Sequence, residues 1–133
     1  MKKNLKVGDS VSLTKAFSED EVRQFADISE DTNPIHLDKA FAAESIFGQR
    51  IVHGILVASL FSGLIGVKLP GEGTIYLGQT LSFKAPVLIG EQVTATVEIV
   101  KIRDDKPIVT LRTLCVNSKG QVAVEGEAVV KVS

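Results

Sequence analysis

The chain has 133 residues, 44% of them apolar, with 15 basic and 16 acidic side chains for a net charge of −1. That length suits one domain, 1–133, burying roughly two-thirds of its unfolded surface, and the apolar share excludes a disordered chain. The balanced charge gives no electrostatic footprint for nucleic acid or an anionic membrane, and leaves open a local basic patch for a phosphate-bearing ligand.

Residues 6–14 read as a first strand. Next comes Phe17-Ser18-Glu19-Asp20-Glu21-Val22. Ser18 and Glu21 have the spacing of a capping box, and Phe17 and Val22 stand where a hydrophobic staple would close over it. The pattern predicts a helix over Glu19–Ser29 whose apolar face is Val22, Phe25, Ala26 and Ile28. From Ser29 to Asp38 the periodicity stops. Pro34 disfavours helix at Asn33, and the segment reads as an ordered polar loop before a short helix around Lys39–Ser45.

Residues 54–69 are apolar nearly all round, so as a helix they must be buried on most sides. A transmembrane span is the rival reading. The stretch is short for one, carries three glycines and two serines, and is followed by strands able to cover it. From Thr74 onward residues alternate. Ile75, Leu77, Leu81 and Phe83 share one face; Val93, Ala95, Val97 and Ile99 form the next; Val122, Val124, Ala128, Val130 and Val132 form the last. Residues 108–116 are apolar on both faces, as in a central strand. Asp104-Asp105-Lys106-Pro107 and Asn117-Ser118-Lys119-Gly120 read as turns, and such short connections imply antiparallel neighbours. The economical solution is an α+β fold, one antiparallel sheet curled around a central buried helix. Its uncovered edges predict a homodimer.

The lone Cys115 sits in a strand-like run and is expected to be a buried apolar residue; no disulfide can form within the chain. Two histidines without a Cys or His cluster predict no metal site. Met1-Lys2-Lys3-Asn4-Leu5 lacks an apolar signal core, and a cytoplasmic location is the expectation.

The chemistry-bearing segment is Ser29-Glu30-Asp31-Thr32-Asn33-Pro34-Ile35-His36. A helix end followed by a turn can aim Asp31 and His36 at one spot, where a carboxylate and an imidazole around one water make a general acid–base pair. Taken alone, the same residues equally suit turn-making and capping, with His36 bonded to Asp38, itself a candidate N-cap. Gly54 opens the buried helix. Free amides at a helix N-terminus, and the absence of a Cβ, would suit a developing oxyanion there. The plainer alternative is a tight start to a core helix with His53 as its cap. Ser59 and Ser62 are expected to bond back to helix carbonyls, with Ser62 the one that could instead orient a catalytic group.

The 29–36 run resembles the hydratase motif of the MaoC-like family, including its (R)-specific enoyl-CoA hydratases of polyhydroxyalkanoate metabolism. Ile51-Val52-His53-Gly54, Ala58-Ser59-Leu60, Tyr76 through Phe83, Asp104 through Pro107 and Gly126 through Lys131 fit the same family, so the resemblance covers nearly the whole chain. It implies the hot-dog fold, a dimer, and a substrate site near the subunit interface. It implies Asp31 and His36 as the catalytic pair, Gly54 as the backbone donor to a thioester carbonyl, and Asn33 as shaping the loop. The implied activity is reversible hydration of a trans-2-enoyl-CoA to an (R)-3-hydroxyacyl-CoA, with no cofactor beyond the CoA of the substrate. Ile55, Ser62, Ile65 and Val130 are candidate walls of the acyl pocket, and their branched bulk suggests short chains. The alternatives are an acyl-CoA thioesterase, a 3-hydroxyacyl-carrier-protein dehydratase and a non-catalytic acyl-CoA module.

Overall fold

The computed structural model describes residues 4–133; Met1, Lys2 and Lys3, part of the stretch read for a signal, lie outside the described residues. The chain opens with β1 (Ser10–Ala16), later than the predicted start at residue 6, because Gly8 turns the chain at φ 99°. Then follows α1 (Glu19–Ser29) with the predicted capping box: Ser18 Oγ accepts from the Glu21 amide at 3.1 Å, and Glu21 accepts from the Ser18 amide at 2.9 Å. Phe17 and Val22 are both buried at the helix start. Val22, Phe25 and Ala26 face inward, but Ile28 is 81% exposed. Six residues on from Val22, at 3.6 residues per turn, it lies about 120° around the helix, off the buried face.

Two short helices come next, α2 (Pro34–Leu37) and α3 (Lys39–Ala43). The sequence predicted only loop where α2 stands. Pro34 begins the turn as its first helical residue, where its missing N–H costs nothing. Asn33 Oδ1 caps it through the Ile35 amide at 3.2 Å, and Asp38 Oδ1 caps α3 through the Phe41 amide at 3.1 Å.

The buried helix is α4 (Gly54–Gly63), carried on by a π-helical segment, Leu64–Lys68. Val57, Phe61, Leu64 and Ile65 are each at most 1% exposed; burying a side chain of this size stabilises by about 1.5–3 kcal/mol. No helix among the described residues is long and apolar enough to cross a membrane. The apolar run is covered instead by a six-stranded antiparallel sheet: β2 (Ile75–Gln79), β3 (Ser82–Phe83), β4 (Gln92–Ile102), β5 (Ile108–Val116) and β6 (Val122–Lys131), in the order β1-β4-β5-β6-β2 with β3 also on β6.

Every strand pair is antiparallel, as the short turns required. Val93, Ala95, Val97 and Ile99 of β4 face α4, as do Val109, Leu111, Thr113 and Cys115 of β5. Cys115 is free, fully buried, and its thiol is pushed up to about 11 by that burial. The outer face of β5 carries Thr110, Arg112 and Leu114, so this central strand is not apolar on both sides.

Two departures from strict alternation have bulges behind them. β6 pairs Cys115 with Val124 but Val116 with Val122, so Ala123 is the extra residue and Val122 slips off the inner face. β2 pairs Tyr76 with Val130 but Gly78 with Val129, leaving Leu77 as the extra residue. The face predicted for Ile75, Leu77, Leu81 and Phe83 is accordingly broken. Ile75, Leu77 and Phe83 are each more than half exposed in the single chain. At Gly126 the Thr80 main chain between β2 and β3 crowds β6, and a Cβ there would lie 1.8 Å from the Thr80 carbonyl oxygen.

Candidate active site

The site starts at the end of α1. Ser29 Oγ donates to the Phe25 carbonyl at 2.7 Å and accepts from the Asp31 amide at 3.1 Å. Between them Glu30 takes a left-handed conformation, φ 63°, ψ 15°, uncommon for a residue with a Cβ. This reversal throws Asp31 back toward α2. Asp31 Oδ1 then accepts from the Asn33 amide at 3.2 Å, leaving Oδ2 free to turn inward. Asn33 links this turn to α2, its amide bonding Asp31 and its side chain capping the helix.

His36 stands on α2, and the side chain reaches a buried position. His36 Nδ1 lies 2.8 Å from the Ile51 carbonyl oxygen. A carbonyl only accepts, so Nδ1 carries the proton and Nε2 presents a lone pair. The alternative bond to Asp38 is not made. His36 Nε2 lies 4.0 Å from Asp31 Oδ2, too far for a direct hydrogen bond. A water 2.8 Å from both would see them at about 90°, close to its own H–O–H angle. The pair is therefore spaced to accept both protons of one water. Asp31 is half exposed while His36 is buried.

Burial lowers the His36 pKa below its ordinary 6.5; the bond to Ile51 opposes this, His53 adds to it, and Asp31 again opposes it. His36 is thus held neutral, as a water-binding lone pair requires. The unfolded chain takes up the His36 proton more readily than the folded one, so this stabilisation is complete above 6.5 and is lost as pH falls through the lowered folded value. The urea midpoint of the wild type should fall across that window, and His36→Asn should reduce the slope. Equal slopes in the two proteins would remove the shift.

His53 was read as a cap for α4, but its side chain makes no capping bond. Its Nε2 instead lies 3.0 Å from the Asp31 carbonyl oxygen. Its ring stacks on His36, centroids 3.8 Å apart and 23° between planes, and meets Phe25 edge-on at 4.9 Å. His53 Nδ1 is buried without a hydrogen-bond partner, an arrangement that costs about 1–3 kcal/mol. The local sign of this role was a histidine between Val52 and Gly54 in an otherwise apolar run, which marks a buried ring.

Asp31, His36 and His53 bring potential metal ligands within 4.8 Å of one another. One nitrogen of each ring already lies against a main-chain carbonyl oxygen, of Ile51 for His36 and of Asp31 for His53.

Gly54 is the first residue of α4 and lines a cavity of about 370 Å³ with Phe47, Ile51, Val52, Ile55 and Val57 on one side and Phe83–Val87, Ala123 and Val124 on the other. Phe83 lies against Gly54 so closely that a Cβ there would be 2.6 Å from its ring. The cavity adjoins Asp31 and His36 through Ile51, whose carbonyl holds His36, although neither of the two is itself in its wall. Of the four candidate acyl-pocket residues, Ile55 lines this cavity and the other three do not. Ile65 and Val130 are fully packed in the core, since their faces of α4's extension and β6 meet each other's layer, and Ser62 is exposed. Ser59 bonds back to the Leu56 carbonyl. Phe47 and the 84–87 segment were missed as cavity walls because they carry no local signature, and Phe83 was noted only as part of a family-like run, not as a wall.

The family model of the MaoC like domain matches residues 2–119. An (R)-specific enoyl-CoA hydratase of Aeromonas caviae is 57% identical over 129 residues, 97% of this chain and 96% of that protein. One from Rhodospirillum rubrum is 46% identical over 129 residues, 97% of this chain and 89% of that protein. Among solved structures, the (R)-hydratase from A. caviae involved in PHA biosynthesis superposes with a TM-score of 0.97 at 56% identity, covering 98% of this chain and 99% of that one. With the hot-dog arrangement of sheet and helix and the Asp31–His36 pair in place, the chain belongs to the MaoC-like domain family.

Proposed function

We propose that this protein is an (R)-specific enoyl-CoA hydratase, adding water reversibly across the double bond of a trans-2-enoyl-CoA to give an (R)-3-hydroxyacyl-CoA. The observation that carries the reading is the 4.0 Å gap between Asp31 Oδ2 and the unprotonated Nε2 of His36, together with relatives of that name at high identity over nearly the full chain. Water held there attacks C3 of the enoyl thioester. Asp31 takes its proton, His36 keeps it oriented, and the acid so formed returns a proton to C2 on the same face. The Gly54 amide stabilises charge gathering on the thioester oxygen. No cofactor is needed beyond the CoA of the substrate, and the bulky walls around Ile55 and Phe83 favour short acyl chains.

Crotonyl-CoA tests this directly. Absorbance of the conjugated thioester should fall, and the product should be (R)-3-hydroxybutyryl-CoA. Release of free thiol would point to a thioesterase, and activity confined to carrier-protein thioesters would point to a dehydratase of that class.

The working form on this reading is a homodimer. A single chain leaves Ile75, Leu77 and Phe83 exposed on the short edge strands, and leaves Asp31 open to solvent. A second copy against that edge buries both and excludes bulk water from the site. Leu77→Lys should convert the protein from twice the chain mass to a monomer by light scattering. A wild type that is already monomeric at micromolar concentration would end the dimer reading.

A further inference from the structure

We propose that His53 is a positioning residue of this site: one imidazole ties the loop bearing Asp31 and His36 to the start of the helix bearing Gly54. This rests on the hydratase reading for its kinetic consequence, and on the structure alone for its geometry. The main chain of His53 leads directly into Gly54, the first residue of α4. Its ring goes the other way. The contact with the Asp31 carbonyl at 3.0 Å makes Nε2 the protonated nitrogen, because a carbonyl can only accept. The same ring forms the floor under His36, stacked at 3.8 Å, and Phe25 of α1 closes on it edge-on. Asp31 is thus held at its carbonyl, His36 at its ring face, and Gly54 through the peptide bond.

Packing does not account for a histidine here. His53 is 2% exposed, and its Nδ1 has no partner. Phenylalanine would fill the same space with no stranded nitrogen, so the ring is explained by what Nε2–H does. The groups it bonds, stacks on or adjoins (the water-binding pair and the thioester-facing amide) are the ones whose separation the chemistry depends on. A displacement of about 1 Å in such a constellation costs on the order of 10²-fold in rate.

Two full-length variants separate this role from packing. His53→Phe keeps the ring on His36 and loses the donor. His53→Gln loses the stack and keeps an N–H where Nε2 was. With crotonyl-CoA, His53→Phe is expected to lower kcat about 30- to 100-fold with KM within about threefold, and His53→Gln to recover at least about tenfold of that loss. A kcat for His53→Phe within threefold of wild type, per folded molecule, overturns the proposal, as does His53→Gln performing no better than His53→Phe. A second readout needs no turnover. In 1H–15N spectra the Thr32 amide, which follows the Asp31 carbonyl held by His53, should shift in His53→Phe and hold near wild type in His53→Gln. An unmoved signal in His53→Phe overturns the proposal. A wild type that hydrates no enoyl-CoA yet shows this shift on substitution supports the tie and ends the hydratase reading instead.

Discussion

Asp31→Asn is expected to reduce enoyl-CoA hydration by about 10²–10⁴-fold, the range for removing a proton-transfer group, while the melting temperature stays close to wild type. The reason for expecting an intact fold is specific. Asp31 is half exposed, and its structural bond, from the Asn33 amide to Oδ1, can be made equally well by the carboxamide oxygen of Asn. What the amide loses is the charge and the capacity to take a proton at the Oδ2 position. His36→Asn is the matching change. The Asn amide nitrogen sits where Nδ1 was and can still donate to the Ile51 carbonyl, so no buried acceptor is orphaned, but no lone pair faces Asp31. Steady-state kinetics by thioester absorbance, beside a thermal melt, checks both. Rates within a few-fold of wild type in the two variants would take the carboxylate–imidazole pair out of the mechanism.

Gly54→Ala is the second large effect, and Phe83 is the reason. The added Cβ would stand 2.6 and 2.7 Å from two carbons of the Phe83 ring. The ring is half exposed on the two-residue strand β3, so it can swing aside. Swinging aside moves a wall of the cavity that Gly54 and Phe83 share and crowds the approach to the helix's first amide. A loss of about 10- to 10²-fold in kcat/KM is expected, smaller than outright removal of an oxyanion donor because the N–H itself remains. Adding Phe83→Ala should return about tenfold by opening the space. Wild-type activity in Gly54→Ala would remove that amide from the thioester site.

Much of this architecture is legible in the sequence. The start of α1 was written in Ser18 and Glu21, with Phe17 and Val22 closing over it, because capping is chemistry between residues three to five apart. The alternation of β4 placed Val93, Ala95, Val97 and Ile99 inward for an equally local reason, the two-residue period of a strand. The run from Ser29 to His36 offered an acid and an imidazole whose residue types and spacing suited turn-making equally well, and its resemblance to a family motif marked them as a pair; the turn that joins them uses side chains within the same eight residues. Where a purely local rule met a long-range event it failed. Val122 and Leu77 were assigned by counting in twos, and bulges at Ala123 and Leu77 shifted the count. Ile65 and Val130 were placed on a pocket wall, and the closed core took them.

The composition and the periodicities were enough to specify a curled sheet around an apolar helix, and the resemblance of one polar loop to a known motif pointed to Asp31, His36 and Gly54. Their information is short-range: caps, alternation and turn residues act through neighbours a few positions away. The fold itself settled that His53 bonds a carbonyl 22 residues back, that Phe83 lies on Gly54, and which side chains bound the cavity. Those contacts join segments far apart in the chain, and rules that act through neighbours a few positions away do not reach them.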